Sequence, residues 1–323
     1  MKAFVRDRYG APEVLTLEEV AKPAVKAGEV LVRVRAASLN QGDLDYLYGR
    51  PFLTRLGIGL RRPRSPRLGF DAAGEVEAVG QGVTHFKPGD EVFGDLTQFG
   101  HGTFAEYVSA PERAWATKPP SLSFDEAATL PQAAILALQA LRGGGGVTPG
   151  DRVLVNGASG SVGPFAVQIA KAFGAHVTGV CRTSKIDFVR GLGADEVVDY
   201  TREDYAQGRE RYNWIVDVAG NRSILECRRA LKRRGVYVMV GGSTSRICGC
   251  LFLGPLISLA ERKKMGFLWW KPFRQEDVVL LTGLIADGKV RAVIDRTYPL
   301  DELAEALQYL EAGHARGKIV ITV

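Results

Sequence analysis

Apolar and polar positions follow a period of two over the first part of this chain. Val30-Leu31-Val32-Arg33-Val34-Arg35-Ala36 and Ala73-Gly74-Glu75-Val76-Glu77-Ala78-Val79 alternate apolar with charged residues, as half-buried strands do. Lys87-Pro88-Gly89-Asp90 places a turn before Glu91–Gly94, and Gly102–Val108 reads as one more short strand. Short strands punctuated by Gly and Pro predict a small barrel or sandwich. The stretch 49–69 is long and rich in Arg and Pro, a length typical of functional or mobile loops.

After Pro119-Pro120 the period becomes helical. Residues 124–141 are rich in Ala and Leu, with Pro131 interrupting the pattern, and from Arg152 strands and helices alternate. Strands are expected at 152–155, 176–181, 196–200, 214–219 and 236–240, with helices over 162–170, 185–192 and 223–231. This order implies parallel βαβ units in a doubly wound sheet. A helix follows over 277–287, and then strand-like pieces return at 290–294 and 318–323 around a helix over 301–312. The predicted fold is therefore α/β. A β-rich domain is built from residues 1–118 and 272–323, with a nucleotide-type domain, 119–271, inserted between them. A length of 323 residues suits two domains.

The strand Val153-Leu154-Val155 ends in Asn156-Gly157-Ala158-Ser159-Gly160-Ser161-Val162-Gly163, and a helix follows. Strand, glycine turn and helix in this order form the context of a dinucleotide fingerprint, here with Ala158 at the usual second glycine. Gly160 lets backbone approach a pyrophosphate, and Gly163 allows close helix–strand packing. The helix start offers N–H groups and partial positive charge to the phosphates. The next strand normally ends in an acid that holds the ribose hydroxyls. Here it ends Arg182-Thr183-Ser184-Lys185, two cations and two hydroxyls suited to a 2′-phosphate, so NADP(H) is the expected cofactor.

Charge and cysteine content narrow the reading further. The net charge is +6, but the basic clusters at 61–67, 228–234 and 262–264 are short, separated and without interleaved aromatics. They read as solvated faces, not as a nucleic-acid track. Lys2, Arg6, Asp7 and Arg8 do not make a signal peptide. The apolar run 247–260 contains Gly254 and Pro255 and is too short to span a membrane. Cysteines stand only at 181, 227, 248 and 250, consistent with reduced thiols and an expected cytoplasmic location. The first 118 residues hold no cysteine and, of the histidines, only His85 and His101, so no zinc site is expected there. Cys248-Gly249-Cys250 reads as core thiols. Ser159 and Ser161 lack any evident base, so no nucleophile is assigned.

Together, Ser38-Leu39-Asn40-Gln41-Gly42-Asp43, Leu68-Gly69-Phe70-Asp71-Ala72-Ala73-Gly74, Phe86-Lys87-Pro88-Gly89-Asp90, Asn156–Gly163 and His314-Ala315-Arg316-Gly317-Lys318 resemble the medium-chain dehydrogenase/reductase superfamily. The resemblance is to its zinc-independent quinone oxidoreductase branch, related to zeta-crystallin, and spans essentially the whole chain. It implies a GroES-like catalytic domain with a Rossmann domain, and a homodimer. Zinc-dependent relatives carry Cys-His-x-Asp and Gly-His-Glu where this chain has Asn40-Gln41-Gly42-Asp43 and Gly69-Phe70-Asp71. The resemblance also places Asn40 and Asp43 near the nicotinamide, and Gly157, Ser159, Gly160, Ser161, Val162 and Gly163 around the pyrophosphate. Lys185, Tyr200 and Arg316 fall at its 2′-phosphate ligands, alongside Arg182 and Ser184, and Gly241 lies in the stretch that meets the carboxamide.

Without a Lewis acid the substrate must itself accept hydride, as quinones and α,β-unsaturated carbonyls do. The expected activity is NADPH-dependent reduction of such a small carbonyl or quinone, with Asn40 positional. Two alternatives remain open. One is an alcohol/aldehyde or enoyl-thioester reductase on the same scaffold, for which the Arg61–Arg67 loop would suit a phosphorylated carrier. The other is a non-catalytic NADPH-binding protein.

Overall fold

The computed structural model describes residues 1–207 and 211–323, and of Leu53 the backbone only. It divides into two compact units. One comprises Met1–Ala133, Pro272–Val278 and Ala292–Val323, the other Ala134–Lys271 and Val279–Arg291. In chain order the first unit holds β1 (Lys2–Val5), β2 (Thr16–Glu19), β3 (Glu29–Ser38), β4 (Asp71–Val79), β5 (Glu91–Asp95), β6 (Tyr107–Pro111) and β7 (Trp115–Thr117). The second holds β8 (Arg152–Asn156), β9 (His176–Cys181), β10 (Glu196–Asp199), β11 (Tyr212–Asp217), β12 (Leu231–Met239) and β13 (Lys264–Phe267). The last strands, β14 (Ile294–Pro299) and β15 (Lys318–Thr322), belong again to the first unit.

In the first unit the main sheet runs β14-β15-β3-β4-β5-β7, with β6 paired to β3 and β1-β2 as a separate hairpin. The alternation that marked β3 has a physical outcome. Val30, Val32 and Val34 enter a core with Ala72, Val76, Val92 and Trp115, while Arg33 faces solvent. Register matters more for the site: Ser38 lies opposite both Asp71 and Val320, and Asp71 lies opposite Asp95. Three polar residues of a buried sheet thus stand in one row.

The second unit is a six-stranded sheet in the order β10-β9-β8-β11-β12-β13, with every neighbouring pair parallel. Strand order reverses between β8 and β11, and in such sheets ligands bind beyond the carboxyl ends at that point. The α/β class and the two-part GroES-like and Rossmann-type architecture follow from these sheets.

Three local expectations shift. Residues 102–106 do not form a ladder strand. Their backbone groups are taken by Gly69, Leu68 and Lys2, with a single bridge between Ala3 and Ala105. The expected strand at 290–294 begins only at Ile294, because the Lys289 and Val290 N–H groups are spent on Leu284 O, closing the helix Gln275–Ala286. The apolar run 247–260 lies within an 18-residue helix, Thr244–Glu261, with Pro255 inside it. None of the described helices is long and apolar enough to cross a membrane.

Candidate functional site

The second unit builds a turn for an anion. At Gly157 φ is +86°, and its N–H and that of Ala158 both donate to Val180 O, tying the turn to the end of β9. A Cβ on Gly163 would lie 2.2 Å from Gly157 O and 2.6 Å from the Ala158 backbone, so the helix Gly163–Ala172 can start there only with glycine. Gly160 differs: a Cβ there would meet nothing nearer than Gly157 O at 3.7 Å. Nothing within the chain requires glycine at 160, and what a Cβ would fill is space open to a ligand. Ser159 and Val162 are buried and Ser161 partly exposed along the same turn. Gly241 follows β12, where Gly220, Gly241 and Gly242 pack backbone on backbone.

At the ends of β9 and β10 the structure brings Arg182 and Tyr200 together, with Nε donating to Oη at 3.4 Å. Ser184 is exposed and Lys185 largely buried in the turn that follows Arg182. Sequence reasoning saw no acid here, yet Asp199 ends the adjacent strand β10. The Thr183 hydroxyl donates to it at 2.5 Å and the Thr201 hydroxyl at 2.7 Å, while Arg202 lies at 3.7 Å. The Thr183 bond, followed by those of Thr201, holds its pKa below the usual carboxylate range. Asp199 is therefore an engaged anion that orders the turn. A second network locks the strand ends. Asn156 Nδ2 donates to Asp217 at 2.8 Å and to Asn221 at 2.9 Å, while the Tyr237 hydroxyl and Gly220 N–H each donate to Asp217 at 2.8 Å.

In the first unit Asn40 and Asp43 meet in a dry polar cluster. Asn40 caps the helix Gln41–Tyr48, and the Asp43 carboxylate returns to the Asn40 N–H at 2.8 Å. The Asn40 side chain turns away from the helix. Its Nδ2 donates to Asp71 at 2.9 Å, and its Oδ1 accepts from Lys318 Nζ at 2.6 Å. Lys318 also donates to Leu39 O at 2.9 Å and stands 3.5 Å from Asp71, which the Ser38 hydroxyl reaches at 3.1 Å. Lys318, Asp43 and Asp71 are fully buried, and Asp95 nearly so.

Three carboxyls share one ammonium, so they cannot all be ionised in so dry a place. Burial pushes Asp43 well above the carboxylate range and raises Asp71 too, against the lowering pull of Lys318. Asp95 is pushed up to about 7 by burial and then by the charge of Asp71. Burial lowers the Lys318 pKa, against the raising pull of Asp71 and Asp43. Beside this cluster the rings of Tyr46, Phe70 and His101 meet edge to face, with centroids 4.8–5.2 Å apart. His101 has φ +64° and a pKa brought down to about 4, by burial and then by Arg6, so its ring is neutral at physiological pH. Arg316 is exposed two residues before Lys318, apart from the residues of this cluster.

Sequence reasoning missed Asp71, Asp95, His101 and Lys318 as site residues. Asp71 and Lys318 lay inside motifs singled out above, and a lysine in the apolar strand Lys318–Thr322 was a usable signal. Asp95 and His101 gave none.

An alcohol dehydrogenase GroES-like domain model matches residues 26–120, and a zinc-binding dehydrogenase model matches residues 192–321. The mitochondrial NAD(P)H oxidoreductase RTN4IP1 of Mus musculus is 35% identical over all of this chain and 89% of that protein. The 2-methylene-furan-3-one reductase of Solanum lycopersicum is 35% identical over 99% of this chain and 79% of its own. The solved quinone oxidoreductase of Coxiella burnetii superposes with a TM-score of 0.88 at 33% identity, covering 100% and 99% of the two chains. This chain belongs to the medium-chain dehydrogenase/reductase superfamily, in its quinone oxidoreductase branch. It is an oxidoreductase with a nicotinamide cofactor.

One expectation is overturned. Relatives of this oxidoreductase are named as mitochondrial and chloroplastic proteins, which contradicts the expected cytoplasmic location. Scarce cysteines report on redox state, not on address, so the inference from them was too narrow.

The zinc of the matching model's description does not fit the residues present. The donors are an amide, Asn40, and carboxylates, and Lys318 already supplies a cation to them at 2.6 and 3.5 Å. Soft or imidazole donors are absent from Asn40, Phe70 and Asp71. A nicotinamide dinucleotide does fit the second unit, at Gly160 and the Arg182–Lys185 turn.

Gly160→Ala is expected to leave thermal stability unchanged while weakening cofactor binding about tenfold or more, measured by fluorescence titration. Gly163→Ala, by contrast, should destabilise the fold by about 1–3 kcal/mol. Unchanged affinity in Gly160→Ala would show that no phosphate approaches the turn. The pH dependence of Asp95 has a definite sign. Its folded pKa lies above the unfolded value, so the stabilisation it gives is full at low pH and is lost as pH rises from about 4 through about 7. Asp95→Asn, which cannot ionise, should gain on the wild type by about 2.5 kcal/mol between pH 5 and pH 8 in thermal unfolding. A constant difference across that range would mean that Asp95 ionises freely.

Proposed function

We propose that this oxidoreductase is a zinc-free, NADPH-dependent reductase of quinones or conjugated enones, acting as a homodimer. The observation that carries the reading is the ammonium of Lys318, fixed between Asn40 and Asp71 where zinc-dependent relatives carry ligands. A cation buried in that way is fully engaged with its neighbours. A plain alcohol would need a Lewis acid for its developing alkoxide, whereas a quinone or enone spreads the incoming charge over its own conjugated oxygen. Names of relatives, one a quinone oxidoreductase and one a 2-methylene-furan-3-one reductase, support this substrate class.

The cofactor, when bound, supplies the hydride; the chain's own residues orient and exclude. Gly157, Ser159, Gly160, Ser161, Val162 and Gly163 would hold the pyrophosphate, and Gly241 the carboxamide end. Arg182, Ser184, Lys185 and Tyr200 would hold the 2′-phosphate. Asn40 is a positioning residue: Lys318 and Asp71 grip both ends of its amide, which leaves it no acid–base role. Asp43 fixes the helix that carries Tyr46. Tyr46 and His101 are partly exposed, and with Phe70 behind them they offer rings to a flat substrate. Neutral His101 supports a product proton drawn from water.

Turnover with quinones, enones, aldehydes and enoyl-CoA is expected to favour the first two, with NADPH over NADH. It should survive dialysis against a chelator. Activity that is lost to the chelator and restored by zinc would overturn the reading, as would no turnover with NADPH still bound. Lys185→Ala should raise KM for NADPH about tenfold or more and leave that for NADH nearly unchanged. Equal NADPH constants in variant and wild type would remove Lys185 from the phosphate site.

A further inference from the structure

The turn that follows β5 holds three left-handed residues in succession. Gly100 has φ +96°, His101 +64° and Gly102 +117°, so the one side chain in the run is an imidazole. Glycine would adopt that backbone at lower cost, and outliers of this kind gather at functional sites. The turn is fixed against the segment that carries Phe70. Leu96 N–H donates to Phe70 O at 2.7 Å, and Gly102 N–H donates to Gly69 O at 3.1 Å. The His101 ring then lies 4.8 Å from the Phe70 ring and 5.0 Å from that of Tyr46, inclined at 77° and 74° to them.

The two nitrogens of this ring differ in their surroundings. Nδ1 is buried without a hydrogen-bond partner, whereas Nε2 lacks a partner among the described residues but stays accessible. Burial, and then Arg6, brings the His101 pKa down to about 4, so one nitrogen carries a proton and the other a lone pair. An orphaned N–H in a dry place is rarer than an orphaned acceptor. The proton therefore belongs on Nε2, where water or a ligand can take its hydrogen bond. Other donors of the neighbouring polar cluster are spent. Asn40 Nδ2 is held by Asp71, and Lys318 Nζ by Leu39 O and Asn40 Oδ1.

We propose that His101 is a catalytic residue of this reductase, its Nε2–H donating to the substrate oxygen on which charge develops. The assignment rests on the quinone or enone chemistry proposed for the enzyme. Phe70 stands where zinc-dependent relatives carry a histidine ligand, and the imidazole beside it offers the oxygen a neutral donor in place of a metal. As hydride adds to the conjugated system, a π pair moves onto that oxygen. A donor already held in place stabilises the charge without reorganisation. His101 keeps its proton throughout, and water supplies the proton that completes the hydroquinone or the saturated carbonyl product.

Long-range nitrogen–proton correlation spectra of the full chain read the tautomer without any turnover. The chain has four histidines, at 85, 101, 176 and 314, so the signal lost in His101→Gln assigns the ring. His101 is expected as the neutral Nε2–H form from about pH 5.5 to pH 8. The Nδ1–H form, or protonation within that range, overturns the proposal. Kinetics give the second readout. His101→Phe keeps a ring and loses the donor, so kcat with quinones or enones should fall about a hundredfold while their KM barely moves. His101→Gln, whose side-chain amide can donate from near the same place, should stay within about fivefold of the wild type. Melting and NADPH affinity are expected to match the wild type in both variants. Wild-type kcat in His101→Phe overturns the proposal, as does an equal loss in both variants or a loss that follows Tyr46→Phe instead. Wild-type protein that reduces neither quinones nor enones would remove the substrate class itself, a result distinct from turnover untouched by His101→Phe.

Discussion

The first unit depends on one buried cation. Lys318 enters from the last strand of the chain and meets the Leu39 carbonyl and the Asn40 amide, close to the Asp71 carboxylate, all supplied by the first quarter of the sequence. Its ammonium is fully buried, so its desolvation must be offset by those contacts or the group would lose its proton. The same contacts hold β15 against β3 at the point where Ser38 and Val320 are paired. Closure of the sheet and the electrostatics of the site are therefore one interaction. The ends of the sequence are joined by chemistry as well as by backbone pairing.

Steric exclusion plays the corresponding part in the second unit. Gly163 has no room for a side chain, Gly157 has the wrong φ for one, and Gly220 faces the backbone of Gly241 at a distance no Cβ tolerates. These contacts bring the carboxyl ends of β8, β11 and β12 close together, and the Asn156–Asp217–Tyr237 bonds fix them. Gly160 is the exception that separates function from folding, since its neighbours leave it space. A glycine that packing does not require is better evidence for a ligand than three that packing does.

What could be read from the sequence follows from which forces are local. Alternation in β3 and β4, the βαβ order from Arg152 and the glycine turn are all set within a few residues, and the structure contains each of them. The polar cluster was not legible because Asn40, Asp71, Asp95 and Lys318 come together only through sheet register. Asp199 escaped notice for a similar reason: it ends β10, the neighbour of the strand inspected for an acid. The helix Thr244–Glu261 gave no amphipathic period, because both of its faces are apolar. Location was misjudged because thiol scarcity carries no address.

A carboxyl pushed up to about 7 beside a buried ammonium would be a liability in a purely structural core, where apolar residues of similar volume often serve as well. Its persistence makes sense if the cluster must keep a fixed net charge while an uncharged amide, Asn40, is held rigidly at its edge. Lys318 balances one carboxylate, while burial raises Asp43 and pushes Asp95 up to about 7. The cluster then holds Asn40 with less negative charge than three free carboxylates would place there. A negative site would oppose hydride arrival at a substrate, since charge builds on the substrate oxygen as hydride adds. In zinc-dependent relatives a bound metal would answer that charge. Here one lysine among three aspartates limits the negative charge of the cluster.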